Sequence, residues 1–224
     1  MNYKMNLEYF SLNIYKVIGI SLISVALLIL APLTHIIVAF VVILFGIAFY
    51  IGGLKSDVTD AEYDHSVLCM IEDIKQKALD KFGIDEDEVS EIEPIIIGGY
   101  DYKDYTLSKR GKDRIWRTNQ YKCIMILFSA NEVYCYTYKF KTTVGEKTED
   151  TDVYFYKDIV SVSTSSETIK LKNSMGQEYG KQFSCEYFKL TTSGGTSLTV
   201  SCTDKEKTQT SINSMRKLLK LKKQ

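Results

Sequence analysis

Among its 224 residues the sequence holds only two prolines, two histidines and one tryptophan, and 28 acidic side chains balance its 28 basic ones. Each scarcity narrows the reading. A formal net charge of zero gives no overall field that would draw the chain to nucleic acid, so no nucleic-acid partner is expected. With so little proline and no Gly/Ser-rich stretch or repeat, the chain beyond its N-terminal region reads as one continuous folded body. The five cysteines, Cys69, Cys123, Cys135, Cys185 and Cys202, are odd in number and never closer than twelve residues. That spacing suits small buried apolar side chains in a reducing compartment, not a disulfide framework or a zinc knuckle.

The shortage of histidine limits catalysis as well. A Ser or Cys nucleophile needs a base beside it, and past the apolar N-terminal region the only histidine is His65. His65 and Cys69 share a helical face, but two ligands do not make a structural zinc site. There is no Gly-x-Ser-x-Gly, Walker-type loop, dinucleotide fingerprint or His-Glu-x-x-His helix, and the acidic run 85–93 lacks EF-hand spacing. The expectation is a non-catalytic protein with no cofactor and no metal. The alternative is an unrecognised enzyme or small-ligand sensor whose pocket lies in the later part of the chain.

What the sequence has in quantity is uncharged apolar length. Residues 17–33 carry no charge, and eleven of them are Leu, Ile or Val; residues 36–54 carry none either, with thirteen Leu, Ile, Val or Phe. At about 1.5 Å per residue, 17 to 20 helical residues just cross a hydrocarbon core of roughly 30 Å. Pro32 supplies the break between them. A second span follows at once and no small-x-small cleavage site intervenes, which argues against a signal peptide. The prediction is a two-span hairpin over 16–54, preceded by a short cytoplasmic segment, 1–15. The turn at Thr34 and His35 lacks Lys and Arg, whereas Lys4, Lys16 and Lys55 flank the spans. Both termini are therefore expected in the cytoplasm of a multi-pass cell-membrane protein. Tyr9, Phe10 and Tyr15, with Phe49 and Tyr50, suit an aromatic belt at the same interface. Gly19, Ser21, Ser24, Gly46 and Gly52 would be the contact faces if the chain were a subunit of a membrane complex.

An amphipathic helix and an acidic loop are expected over 55–94. Thr59 and Glu62 have capping-box spacing, and an apolar stripe from Val67 to Phe82 predicts one helix over 60–82, stopped at Gly83. The period then changes. Tyr134, Tyr136, Tyr138 and Phe140 alternate with Cys135, Thr137 and Lys139. Further strand-like runs fall at 121–129, 152–156, 159–164, 169–172, 183–191 and 198–202, with turn signals at Ala130-Asn131, Gly145-Glu146, 173–176 and Gly194-Gly195. Consecutive strands without intervening helices predict an antiparallel barrel or sandwich of about seven strands over 95–224, in an α+β chain. Thr203 and Glu206 repeat the capping-box spacing ahead of a last helix whose Ile212, Met215 and Leu219 share one face. The tyrosine row reads as half-buried sheet packing, with a binding face as the alternative.

The segment Phe155-Tyr156-Lys157-Asp158-Ile159-Val160-Ser161-Val162 resembles the strand motif of bacterial PH-like (pleckstrin-homology-type) domains, in which an aromatic-rich strand leads into an Asp-Ile turn. The helix at 209–222 is similar to the one that plugs the end of that barrel. The resemblance spans residues 95–223 and implies a PH-like fold in a membrane-anchored protein; the fold does not fix a function.

One run stands out for binding. Lys109, Arg110, Lys112, Arg114, Trp116 and Arg117 are dense in positive charge around the single Trp. The PH-like reading places the run near the first strands, where relatives carry lipid-headgroup-binding cations. Each Lys or Arg near an anionic leaflet contributes roughly 1 kcal/mol. The expected function is a membrane-anchored cytoplasmic binding module that contacts anionic lipid headgroups or an unidentified membrane or cytoplasmic protein.

Overall fold

The computed structural model describes residues 2–11, 13–29, 36–55, 57–172 and 178–223. The expected turns at Pro32, Thr34 and His35 and at 173–176 lie outside the described residues. The chain divides into two compact units, residues 2–66 and 67–224.

The first unit is helical. Helix α1 (Tyr3–Phe10) starts at Asn2, whose side chain accepts from the Met5 N–H. Helices α2 (Ile14–Ile29) and α3 (Ile36–Lys55) then run antiparallel in contact. Their approach is set by glycine. A Cβ on Gly19 would lie 2.7 Å from the Gly46 carbonyl oxygen, and one on Gly53 would lie 3.0 Å from the Lys16 nitrogen. Close backbone packing over small residues is how helices associate where no hydrophobic drive separates them from solvent. Gly52 faces open space, so it takes no part in this contact. Asn13 ties the two ends, donating to the Gly53 carbonyl at 2.8 Å and to Asp57 at 2.7 Å. Outward from the pair point Val17, Ile20, Leu27, Phe40, Leu44 and Phe45, all exposed.

By length and composition one stretch, Tyr3–Leu27, is long and apolar enough to cross a membrane. Within α3 (Ile36–Lys55) the apolar stretch counted among the described residues, Val38–Gly53, is shorter than that. The sequence predicts two spans, and the described residues support one.

The second unit takes in the end of α4 (Asp60–Met70), then α5 (Ile74–Phe82) and the β domain. The capping box at the start of α4 forms: the Thr59 N–H donates to the Glu62 carboxylate at 2.7 Å, and the Glu62 N–H donates to the Thr59 hydroxyl. The single helix expected over 60–82 is broken, however. Glu72 and Asp73 oppose the dipole at a helix C-terminus and suit a helix start, so the chain turns at 71–73 and begins again. Gly83 ends α5 in the left-handed region at φ 66°, as expected.

Nine strands follow among the described residues: β1 (Ile95–Tyr100), β2 (Ser108–Arg110), β3 (Trp116–Thr118), β4 (Gln120–Phe128), β5 (Glu132–Lys141), β6 (Lys147–Phe155), β7 (Ile159–Lys172), β8 (Glu178–Thr192) and β9 (Ser197–Ser201). They form antiparallel sheets in the orders β1-β4-β5-β6 and β7-β8-β9, with β2-β3 as a separate hairpin. The runs expected at 159–164 and 169–172 are one strand. Pairing with β8 carries the chain through the polar residues 165–168 despite their weak apolar pattern. No closed barrel forms among the described residues. β1 meets β9 through the Thr203 N–H to the Gly98 carbonyl at 3.1 Å and the Ser201 hydroxyl to the Tyr100 carbonyl at 2.7 Å.

The core lies between the two larger sheets and α6 (Lys205–Lys222). Ile124, Ile126, Phe128 and Val133 meet Ile159, Phe188 and Leu190, and Ile212, Met215 and Leu219 close the end. Asp204 caps α6, accepting from the Lys207 N–H at 2.9 Å; Thr203, the expected cap, is held on β1 instead. The other face of β4 and β5 lies under α5. Phe82 meets the Tyr134 ring edge-on at 5.0 Å, and the Lys77 ammonium sits over Tyr138. The tyrosine row is packed sheet, and Tyr136 is fully buried. Lys81 and Lys147 both bind Glu149, whose carboxyl they hold at about 2.

Three outcomes follow. Gly19→Leu forces α2 and α3 apart and should cost about 1–3 kcal/mol, read as a lower melting temperature in mild detergent, whereas Gly52→Ala should leave it unchanged. Phe188→Ala should cost about 3–5 kcal/mol by urea titration. Glu149 has a folded pKa below its ordinary 4.5, so its contribution is complete above that value and fades as pH falls toward about 2. Glu149→Gln should flatten the loss of stability across that acid window.

Candidate functional site

The β2-β3 hairpin carries the basic run, and the fold divides it. Arg114 adopts a left-handed φ of 68° at the turn, where the Gly111 N–H donates to the Ile115 carbonyl at 2.8 Å. That conformation is uncommon for a residue with a Cβ. Arg117 points inward and grips Asp113 with both guanidinium arms, at 2.9 and 2.6 Å. The fork geometry suits a carboxylate, and the Arg117 hydrogen bonds hold the Asp113 carboxyl below its ordinary range. Trp116 is also buried, its ring stacked 6.2 Å from Phe183 of β8, while Tyr102 donates to the Trp116 carbonyl at 2.8 Å. Buried Asn119 anchors the base of the hairpin, accepting from the Thr106 and Leu107 N–H groups and donating to the Thr106 and Thr143 hydroxyls. Of the six expected binding residues, Trp116 and Arg117 are therefore structural, Lys109 is half-buried, and Arg110, Lys112 and Arg114 face solvent.

Between the hairpin and β8 lies a cleft of about 620 Å³. Tyr102, Ile115, Trp116 and Phe183 give it apolar walls, and exposed Arg110, Arg114 and Lys205 supply positive charge. Lys205 is offset by Glu186 at 3.5 Å; neither Arg110 nor Arg114 has an ion pair among the described residues. Cys185 and Cys202 also line the cleft. Burial pushes the Cys185 thiol up to about 11 and raises that of Cys202, so both are protonated at neutral pH and neither is poised as a nucleophile. No group of three His, Cys, Asp or Glu side chains that could hold a metal occurs among the described residues.

A second recess, of about 230 Å³, shares Ser201 with the first. It gathers Lys103, Lys122 and Lys139, none of which lies in the basic run. Lys139 bridges Asp101 at 3.1 Å and Asp104 at 2.6 Å. Lys122 donates to the Thr199 carbonyl at 2.9 Å, and burial lowers its pKa. The register sets Lys122 opposite Lys139, an arrangement that like charges disfavour; the two aspartates offset it. The signal was present in the sequence, since Lys122 and Lys139 each follow a tyrosine within a strand-like run, but reading it required the register.

No family model matches the chain, and neither a curated protein nor a solved structure matches it.

Removing Asp113 leaves buried guanidinium donors without their carboxylate. Asp113→Ala should cost about 1–3 kcal/mol by urea titration.

Proposed function

We propose that the protein is a membrane-anchored, non-catalytic module that binds an anionic partner, lipid or protein, at the inner membrane surface. The observation that carries this reading is the cleft itself: apolar walls beside Arg110 and Arg114, whose charge no acidic side chain in the described fold offsets. Pockets that join apolar lining to a few placed polar groups are ordinary binding sites. The tether would keep the module concentrated at the surface, so weak contacts suffice.

The anchor is read as two spans with both termini cytoplasmic. The contact between α2 and α3 supports the pairing of the spans, and Lys4, Lys16 and Lys55 support the sidedness. The β domain is read as PH-like. Supporting this are the four-stranded sheet followed by the three-stranded one, with α6 packed across the end of the core. In that reading the basic hairpin is an insertion between the first two strands of the larger sheet. A small-ligand sensor is the second reading, favoured by the volume of the cleft.

The chain should remain with membranes through alkaline carbonate and leave only with detergent. Purified in mild detergent, it should retain anionic lipid or a protein partner whose recovery falls about tenfold on Arg110→Glu combined with Arg114→Glu, a loss of roughly 1.4 kcal/mol. Recovery unaffected by that double exchange would remove the cleft from the reading, and a soluble chain would remove the anchor.

A further inference from the structure

The backbone of the cleft says more about its occupant than the charge does. In an antiparallel strand the N–H and C=O of one residue point to the same side, and the side alternates along the chain. Glu186 of β8 turns toward β9, because its carbonyl accepts from the Cys202 N–H at 2.8 Å. Two-residue alternation turns Ser184 and Gln182 the same way. The opposite edge of the hairpin agrees: the Val162 carbonyl of β7 points outward to Arg216, and the register then sets residues 183, 185 and 187 toward β7.

Strand β9 stops short of these two residues. It ends at Ser201, and Asp204 turns the chain into α6 before it can pair with Ser184. The backbone groups of Gln182 and Ser184 therefore face the cleft with no strand partner among the described residues, and both residues line it. An unpaired edge of this kind is a template for another strand. Lipid tails offer no donors or acceptors to satisfy it.

We infer that the cleft receives an extended, acidic segment of a partner protein, added as a strand to β8 at Gln182 and Ser184. The inference rests on the cleft being the binding site. The peptide backbone supplies the missing hydrogen bonds, an apolar side chain lies against Trp116 and Phe183, and carboxylates meet Arg110 and Arg114. Charge complementarity selects an acidic segment over a basic one.

Trp116 is the only tryptophan in the chain and lines the cleft, so its emission reports occupancy. The full chain, held in nanodiscs of zwitterionic lipid, is titrated with a short peptide alternating Glu and Leu. A saturable emission shift is expected. It should weaken about tenfold with Arg110→Glu combined with Arg114→Glu, and vanish for a peptide alternating Lys and Leu. It should also vanish for the Glu-Leu peptide N-methylated at alternate residues, which keeps the side chains and loses the ladder. Equal binding by the N-methylated peptide overturns strand addition and leaves the cleft as a site. A shift produced by anionic lipid in the nanodisc and by no peptide overturns the peptide occupant in favour of a lipid. Silence toward every probe overturns both this inference and the reading beneath it.

Discussion

Strand β4 has no solvent face, and the layering of the β domain follows from that constraint. Its alternate residues Ile124, Ile126 and Phe128 enter the core against the smaller sheet and α6, while Cys123, Met125 and Leu127 go under α5 with the tyrosines of β5. A strand buried on both sides reads as a nearly unbroken apolar run, which is how 123–128 appears in the sequence. The two coverings are chemically different. The inner one is mostly aliphatic, with Phe128 and Phe188 among its side chains. The outer one adds rings and ions, with Phe82 on Tyr134, Lys77 over Tyr138 and Lys81 on Glu149.

The geometry of the cleft depends on a polar scaffold next to that core. Asn119, buried, fixes the approach to the hairpin with its side-chain amide, and the Arg117–Asp113 pair fixes the tip. These contacts hold Trp116 against Phe183 and present Arg110 and Arg114 to solvent. One dense basic stretch thus serves two purposes. A guanidinium turned inward organises the loop; those turned outward face solvent and line the cleft.

Much of this was legible in residue order. Apolar length announced the N-terminal helices, and alternation announced the strands around Tyr136 and Val200. What stayed hidden depended on pairing. Residues 165–168 look like a break until β8 lies beside them, and Lys122 looks unremarkable until Lys139 stands opposite. The helix expected over 60–82 failed at Glu72 and Asp73, because an apolar stripe records which face is buried and not whether the axis is continuous. Arg117 was counted with the surface charges because its partner Asp113, although four residues away, sits across a turn whose shape the composition does not dictate. The cleft was illegible, being defined by where β9 ceases.

The C-terminal helix offers a last consequence. Its closing turns hold five cations, Arg216, Lys217, Lys220, Lys222 and Lys223, and three of them are engaged within the fold. Arg216 donates to the Val162 carbonyl, Lys223 to the Ile159 carbonyl, and Lys222 to the Ala130 carbonyl while pairing with Glu91 at 2.9 Å. The first two cover the start of the outer margin of β7, where bare carbonyls would invite a stray chain to zip on. The helix thereby acts as a selvedge that keeps the fabric of the smaller sheet from fraying into its neighbours.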